Sequence, residues 1–106
     1  MRRGEVRWAS LPEGFGRRPV VILSRDVVLP VRDRVTVAPI SRTIREIRSE
    51  IAVGAPEGLD HDSAVNMDEI LTVPKRWLDT DPIGSLGPVK LRELDAAIHY
   101  ALDLRD

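Results

Sequence analysis

A chain of 106 residues, 42% apolar and 31% charged, is long enough for one packed domain, burying roughly 65% of its unfolded surface. The absence of cysteine excludes disulfide frameworks and thiolate metal sites and suits a reducing cytoplasm. No apolar run approaches the ~20 residues that span a membrane, and the charged start has no apolar stretch behind it, so neither a span nor a secretory signal is expected.

The net charge of −1 conceals an asymmetry. Residues 1–53 hold 11 Arg against 6 acids (+5), whereas residues 54–106 hold 5 Lys or Arg against 11 acids (−6). Fourteen of the 16 basic residues are Arg, the side chain that forks onto phosphates and stacks on bases. Such a chain either pairs its own halves or offers a basic face to a phosphate-bearing partner.

In chain order, Glu5-Val6-Arg7-Trp8-Ala9-Ser10-Leu11 alternates, with Val6 and Trp8 on one face and Glu5, Arg7 and Ala9 on the other. That pattern predicts a half-buried strand. The turn-rich Pro12–Gly16 leads into Arg17-Arg18-Pro19-Val20-Val21-Ile22-Leu23-Ser24, whose unbroken aliphatics predict a strand covered on both faces. Pro19 suits the start of that strand, and the arginines emerge at its mouth.

Residues 25–34 read as a loop with an extended piece, and Val35–Ile40 as a third strand. Pro39 marks an edge or a strand end. Ser41 to Val53 fits helical spacing (Ile40, Ile44, Ile47, Ile51) and alternation (Ile47, Ser49, Ile51, Val53) equally well. Gly54–Gly58 is a turn. Ser63–Met67, Ile70–Val73 and Ile83–Leu86 are short strands, and Pro74–Leu78 a single helical turn. Only the last segment reads strongly as a helix: Pro88 fits the first position, and Leu91, Leu94, Ile98, Ala101 and Leu102 form one stripe. Short strands followed by one packing helix describe a small β-barrel capped by a helix.

Few residues offer chemistry. His99 falls on the polar side of the helix and His61 sits in a loop between Asp60 and Asp62. No HExxH or nucleotide-cradling glycine loop is present, so metal-dependent and nucleotide hydrolysis are poorly supported. Asp68 and Glu69, between two short strands, stand near a sheet rim. Arg18 leaves the central strand and Ser41 the end of the third. If those strands are neighbours, an arginine and a hydroxyl converge in one cleft, where they could stabilise a developing phosphorane. Phe15, the only phenylalanine, could stack on a base or pack over the barrel end.

Several stretches resemble, in order, the landmarks of the MazF/PemK family. They are Arg3-Gly4-Glu5-Val6, Arg17–Val21, Val37–Ser41, Asp62–Val65, Leu71–Lys75, Ile83–Leu86 and the terminal helix. The resemblance covers essentially the whole chain, residues 1–106 as a single domain. It implies an SH3-like barrel, mainly β with a C-terminal helix, forming a homodimeric cytoplasmic toxin of a toxin–antitoxin pair.

It further implies cleavage of single-stranded RNA at short sequences without metal or cofactor, leaving a 2′,3′-cyclic phosphate and a 5′-hydroxyl. A cognate antitoxin would lie along the Arg-rich half. The family's catalytic arginine falls on Arg18 and its hydroxyl partner, usually threonine, on Ser41. Glu13, Phe15, Arg17, Asp68 and Glu69 are then expected to contact RNA. The resemblance also makes Ser41–Arg48 a loop and Ser49–Val53 a strand. Three features depart from the pattern: a short first loop in which Glu13 would replace a longer loop's glutamate, Glu69-Ile70-Leu71 in place of Gln-Ile-Arg, and serine for threonine. A toxin of the same fold that binds a protein such as DNA gyrase is the alternative.

Overall fold

The computed structural model describes residues 1–12 and 14–105, so Glu13 lies outside the described residues. Its strands are β1 (Glu5–Ser10), β2 (Arg17–Ile22), β3 (Arg34–Ser41), β4 (Glu50–Val53), β5 (Ser63–Asn66), β6 (Leu71–Pro74) and β7 (Gly84–Ser85), followed by α1 (Pro88–Ala101). Pairing is antiparallel throughout, in the order β4-β5-β3-β2-β1-β7, with β6 also on β3. The sheet curls into a half-barrel whose ends are β4 and β7, and the expected mainly-β barrel with a C-terminal helix is the architecture found.

Two apolar clusters lie on opposite faces. Val21, Leu23, Ala38, Ile40, Val65 and Met67 face one, closed by Leu94 and Ala97 of α1. Val20, Ile22, Val35, Val37, Leu29 and Val73 face the other. Successive β2 residues alternate between the clusters, which is why an unbroken aliphatic run is needed there. Where the 55–57 turn passes β7 the backbones nearly touch: a Cβ on Gly84 would collide with the Glu57 carbonyl, so only glycine fits.

Four expectations need correcting. In β1, expected to be half-buried with Val6 and Trp8 sharing a face, Val6 is buried but Trp8 is 38% exposed, while Arg7 and Ala9 on the other face are buried. Both faces are partly covered: Val6 joins the helix-side cluster, Ala9 joins the other, and the 79–80 turn closes over Arg7. Second, β3 is the hub of the sheet rather than an edge. Its flank away from β2 pairs with β6 as far as Val37 and with β5 from Ile40, and Pro39 falls in the gap where it changes partner.

Third, residues 26–28 form a 3-10 turn anchored by buried Leu29, not an extended piece. Fourth, the helix buries Ala97 and leaves Leu102, just past its end, 55% exposed. The two-period segment resolves into a loop over 42–49 and then β4. Its isoleucines at 44 and 47 are exposed, so the helical spacing there did not mark a packed face. No helix among the described residues is long and apolar enough to cross a membrane.

Candidate functional site

β2 and β3 are neighbours, paired through Val20–Pro39, but they part company beyond that point. β2 stays with β1 as far as Ser10–Arg17, while β3 turns to β5 at Ile40–Val65 and Ser41–Ala64. The split has a covalent cause. The Leu23 N–H donates to the Thr36 carbonyl, and bonded pairs alternate along an antiparallel ladder, so Pro19–Ile40 would have to be the next bonded pair after Val21–Ala38. Pro19 has no N–H to give, and the ladder stops.

The resulting fork is a cleft of about 280 Å³ lined by Trp8, Arg17, Arg18, Pro19, Ile40, Ser41 and Arg42. Of the larger hollows, the one of about 590 Å³ along β4 has no arginine in its lining, and in the one of about 760 Å³ Arg48 is stacked 4.3 Å from the Tyr100 ring centroid. The convergence expected of Arg18 and Ser41 is therefore realised, because β2 and β3 are adjacent and then diverge.

Arg18 is half-buried. Its Nε donates to the Phe15 carbonyl at 2.7 Å, and its guanidinium carbon lies 5.9 Å from the Phe15 ring centroid. Among the described residues it makes no ion pair, and its terminal amino groups are hydrogen-bond donors. Ser41 Oγ accepts the Thr43 N–H at 3.0 Å, which orients the hydroxyl and leaves its proton to donate. Phe15 thus serves as a positioning group for Arg18, through both its carbonyl and its ring.

Arg17 is exposed and paired with Asp79 at 2.7 Å. That hydrogen bond holds its proton more firmly than usual, although partial desolvation works against it. Arg17 also lies 5.6 Å from the Trp8 ring centroid. Among the described ion pairs only Arg17–Asp79 and Arg3–Asp95 join the basic and acidic halves, so most of the arginine excess is not spent on self-pairing.

Asp68 and Glu69 are not brought to this cleft. They end the 3-10 turn after β5, where Asp68 accepts the Ser49 hydroxyl and borders the hollow holding Arg48 and Tyr100. His99 borders that same hollow, and His61 a smaller one adjoining the cleft. Among the described residues no three His, Asp or Glu side chains converge as metal ligands would. Sequence reasoning missed Arg42 and Trp8. Arg42 was signalled by its place directly after Ser41, whereas the alternation of β1 put Trp8 on the same face as Val6, which is buried.

Residues 2–102 match the profile of a family described as PemK-like, MazF-like toxin of type II toxin–antitoxin system. The chain is 38% identical over 102 residues to the probable endoribonuclease MazF5 of Mycobacterium tuberculosis, covering 95% of this chain and 92% of that protein. It superposes on the Mycobacterium tuberculosis toxin MazF-mt6 with a TM-score of 0.89 at 38% identity, covering 96% and 99% of the two chains. A mycobacterial endoribonuclease solved in complex with its cognate antitoxin gives a TM-score of 0.87 at 27% identity, covering 100% and 98%.

Proposed function

The chain belongs to the PemK-like, MazF-like toxin family of type II toxin–antitoxin systems, and we propose that it is an endoribonuclease that cleaves single-stranded RNA at a short sequence without a metal ion. Relatives that match over 95% and 82% of its length are named a probable endoribonuclease and an endoribonuclease. The observation that carries the reading is the fork itself, with Arg18 and Ser41 facing one cleft and Arg17 and Arg42 beside it.

In this reading the ribose 2′-oxygen attacks the adjacent phosphorus as the 2′-hydroxyl loses its proton. A 2′-O–P bond forms and the P–O5′ bond breaks. The departing 5′-oxygen takes up a proton, leaving a 2′,3′-cyclic phosphate and a 5′-hydroxyl. Arg18, anchored through Nε, turns its terminal amino groups to the phosphorane, neutralises its charge and assists the proton transfers. Ser41 donates to a non-bridging oxygen, and Arg17 and Arg42 hold flanking phosphates.

In this reading the protein is a single-domain, cytoplasmic homodimer neutralised by a cognate antitoxin; only the antitoxin partner has support from a relative, the mycobacterial endoribonuclease solved with its own. Glu13, two residues before Phe15 in the sequence, is a further RNA contact in this reading. The test is incubation of purified protein with single-stranded RNA in EDTA, followed by mapping of both new ends. Cyclic-phosphate and 5′-hydroxyl ends are expected, lost in Arg18→Ala. No cleavage by the wild type, or undiminished cleavage by Arg18→Ala, refutes the reading.

A further inference from the structure

Trp8 is a feature of the fork that this chemistry does not use. It sits on β1 between buried Arg7 and buried Ala9, yet 38% of its surface is open. Its cross-strand partner is Pro19, and Ile40, across the fork from Pro19, lines the same two hollows as both of them. Trp8, Pro19 and Ile40 thus form an apolar row across three strands.

Two hollows share that row as their floor. One holds Arg17, Arg18, Ser41 and Arg42. The other adds Leu59, Asp60, His61 and Ser63 beyond Arg42. The two hollows therefore adjoin at the indole, with the Arg18–Ser41 pair in one and Asp60 and His61 in the other.

An indole left open in a sheet whose other large residues are mostly buried forgoes a substantial burial gain. Here the open indole lies among three arginines. Charge for the backbone alternating with an aromatic face for a base is how single strands are held. We propose that Trp8 is the stacking platform for a nucleobase adjoining the scissile phosphate, with Asp60 and His61 at the edge of that base. The identity of the ligand rests on the ribonuclease reading above; the platform is an additional claim.

The test uses an RNA carrying the mapped cleavage sequence with a 2′-deoxyribose at the reactive position, which binds without being cut. In a Trp77→Phe background Trp8 is the sole indole, and its fluorescence should be quenched on binding. Trp8→Ala should weaken binding by about 5- to 100-fold, and Trp8→Phe, which keeps a stacking face, by no more than about 3-fold. Thermal melts establish that each variant is folded. If the wild type cleaves RNA but Trp8→Ala binds within about twofold of it, or Trp8 emission does not respond, the platform is wrong and the ribonuclease reading stands. If the wild type neither binds nor cleaves, both fall.

Discussion

Arg7 is the residue whose loss should reveal most about how this fold holds its site. Its side chain is 7% exposed and its Glu5 partner 15%. The guanidinium donates to Glu5 Oε1 from Nε at 3.1 Å and Nη2 at 2.9 Å, to the Asp79 carbonyl at 2.9 Å and to the Thr80 carbonyl. Arg7→Ala strips two carbonyls of their donor and leaves a largely enclosed carboxylate with only the Arg2 N–H, at 3.0 Å.

Breaking one side of a buried ion pair costs about 3–5 kcal/mol. The surviving Arg2 bond and residual solvent contact place the expected loss near the lower end, about 3 kcal/mol. For a domain of this size that lowers Tm by roughly 10–20 °C. Urea unfolding of Arg7→Ala, Glu5→Leu and the Arg7→Met/Glu5→Leu pair provides the assay. The double apolar variant should recover most of the loss, because replacing both charges removes the unpaired group. A loss under about 1 kcal/mol in Arg7→Ala, or a double variant no better than that single one, would refute the account.

Ser41→Ala should cut the cleavage rate by about 100-fold with little change in KM, whereas Ser41→Thr should keep most activity; single-turnover kinetics separate the effects. Arg17→Ala should weaken binding of uncleavable RNA and flatten the slope of log K against log salt by about 0.7, leaving single-turnover chemistry nearly unchanged. Glu5 should make stability fall in acid. Burial raises its pKa, but the Arg7 hydrogen bonds, the Arg2 N–H and nearby positive charge outweigh burial and hold it below the ordinary 4.5. Its contribution is complete above about pH 4.5 and lost as pH falls through the folded-state value. The Tm gap between wild type and Glu5→Gln should therefore close on acidification, and a gap that widens instead would overturn the assignment.

The central strand was legible because a run of four aliphatics buried on both faces needs no further context. β1 was not. Alternation separates two faces but does not say what covers them, and here Val6 and Arg7 are covered by segments more than 70 residues away, the terminal helix and the 79–80 turn. The Ile44 and Ile47 spacing misled for the opposite reason: periodicity has meaning only where a partner face exists, and these side chains lie in a loop. The meeting of Arg18 and Ser41 could be stated from sequence only on the condition that β2 and β3 adjoin. Asp68 and Glu69 kept their place between two strands, but the 3-10 turn after β5 carries them to another hollow.

The prolines carried more information than the strand rules extract from them. Read locally, Pro19 is a tolerable strand start and Pro39 a sign of an edge. In the sheet each removes a donor at a point where two strands must separate: Pro19 on the flank from which β3 departs, and Pro39 in the gap between β6 and β5. With ordinary residues at both positions, the β2–β3 ladder could run on to Arg18–Ser41. Those side chains would then be cross-strand neighbours on a continuous sheet surface, with no hollow between them to receive a phosphate. Under the proposed ribonuclease reading the Arg18-Pro19 dipeptide acts as one unit, in which the proline opens the fork and the arginine occupies it.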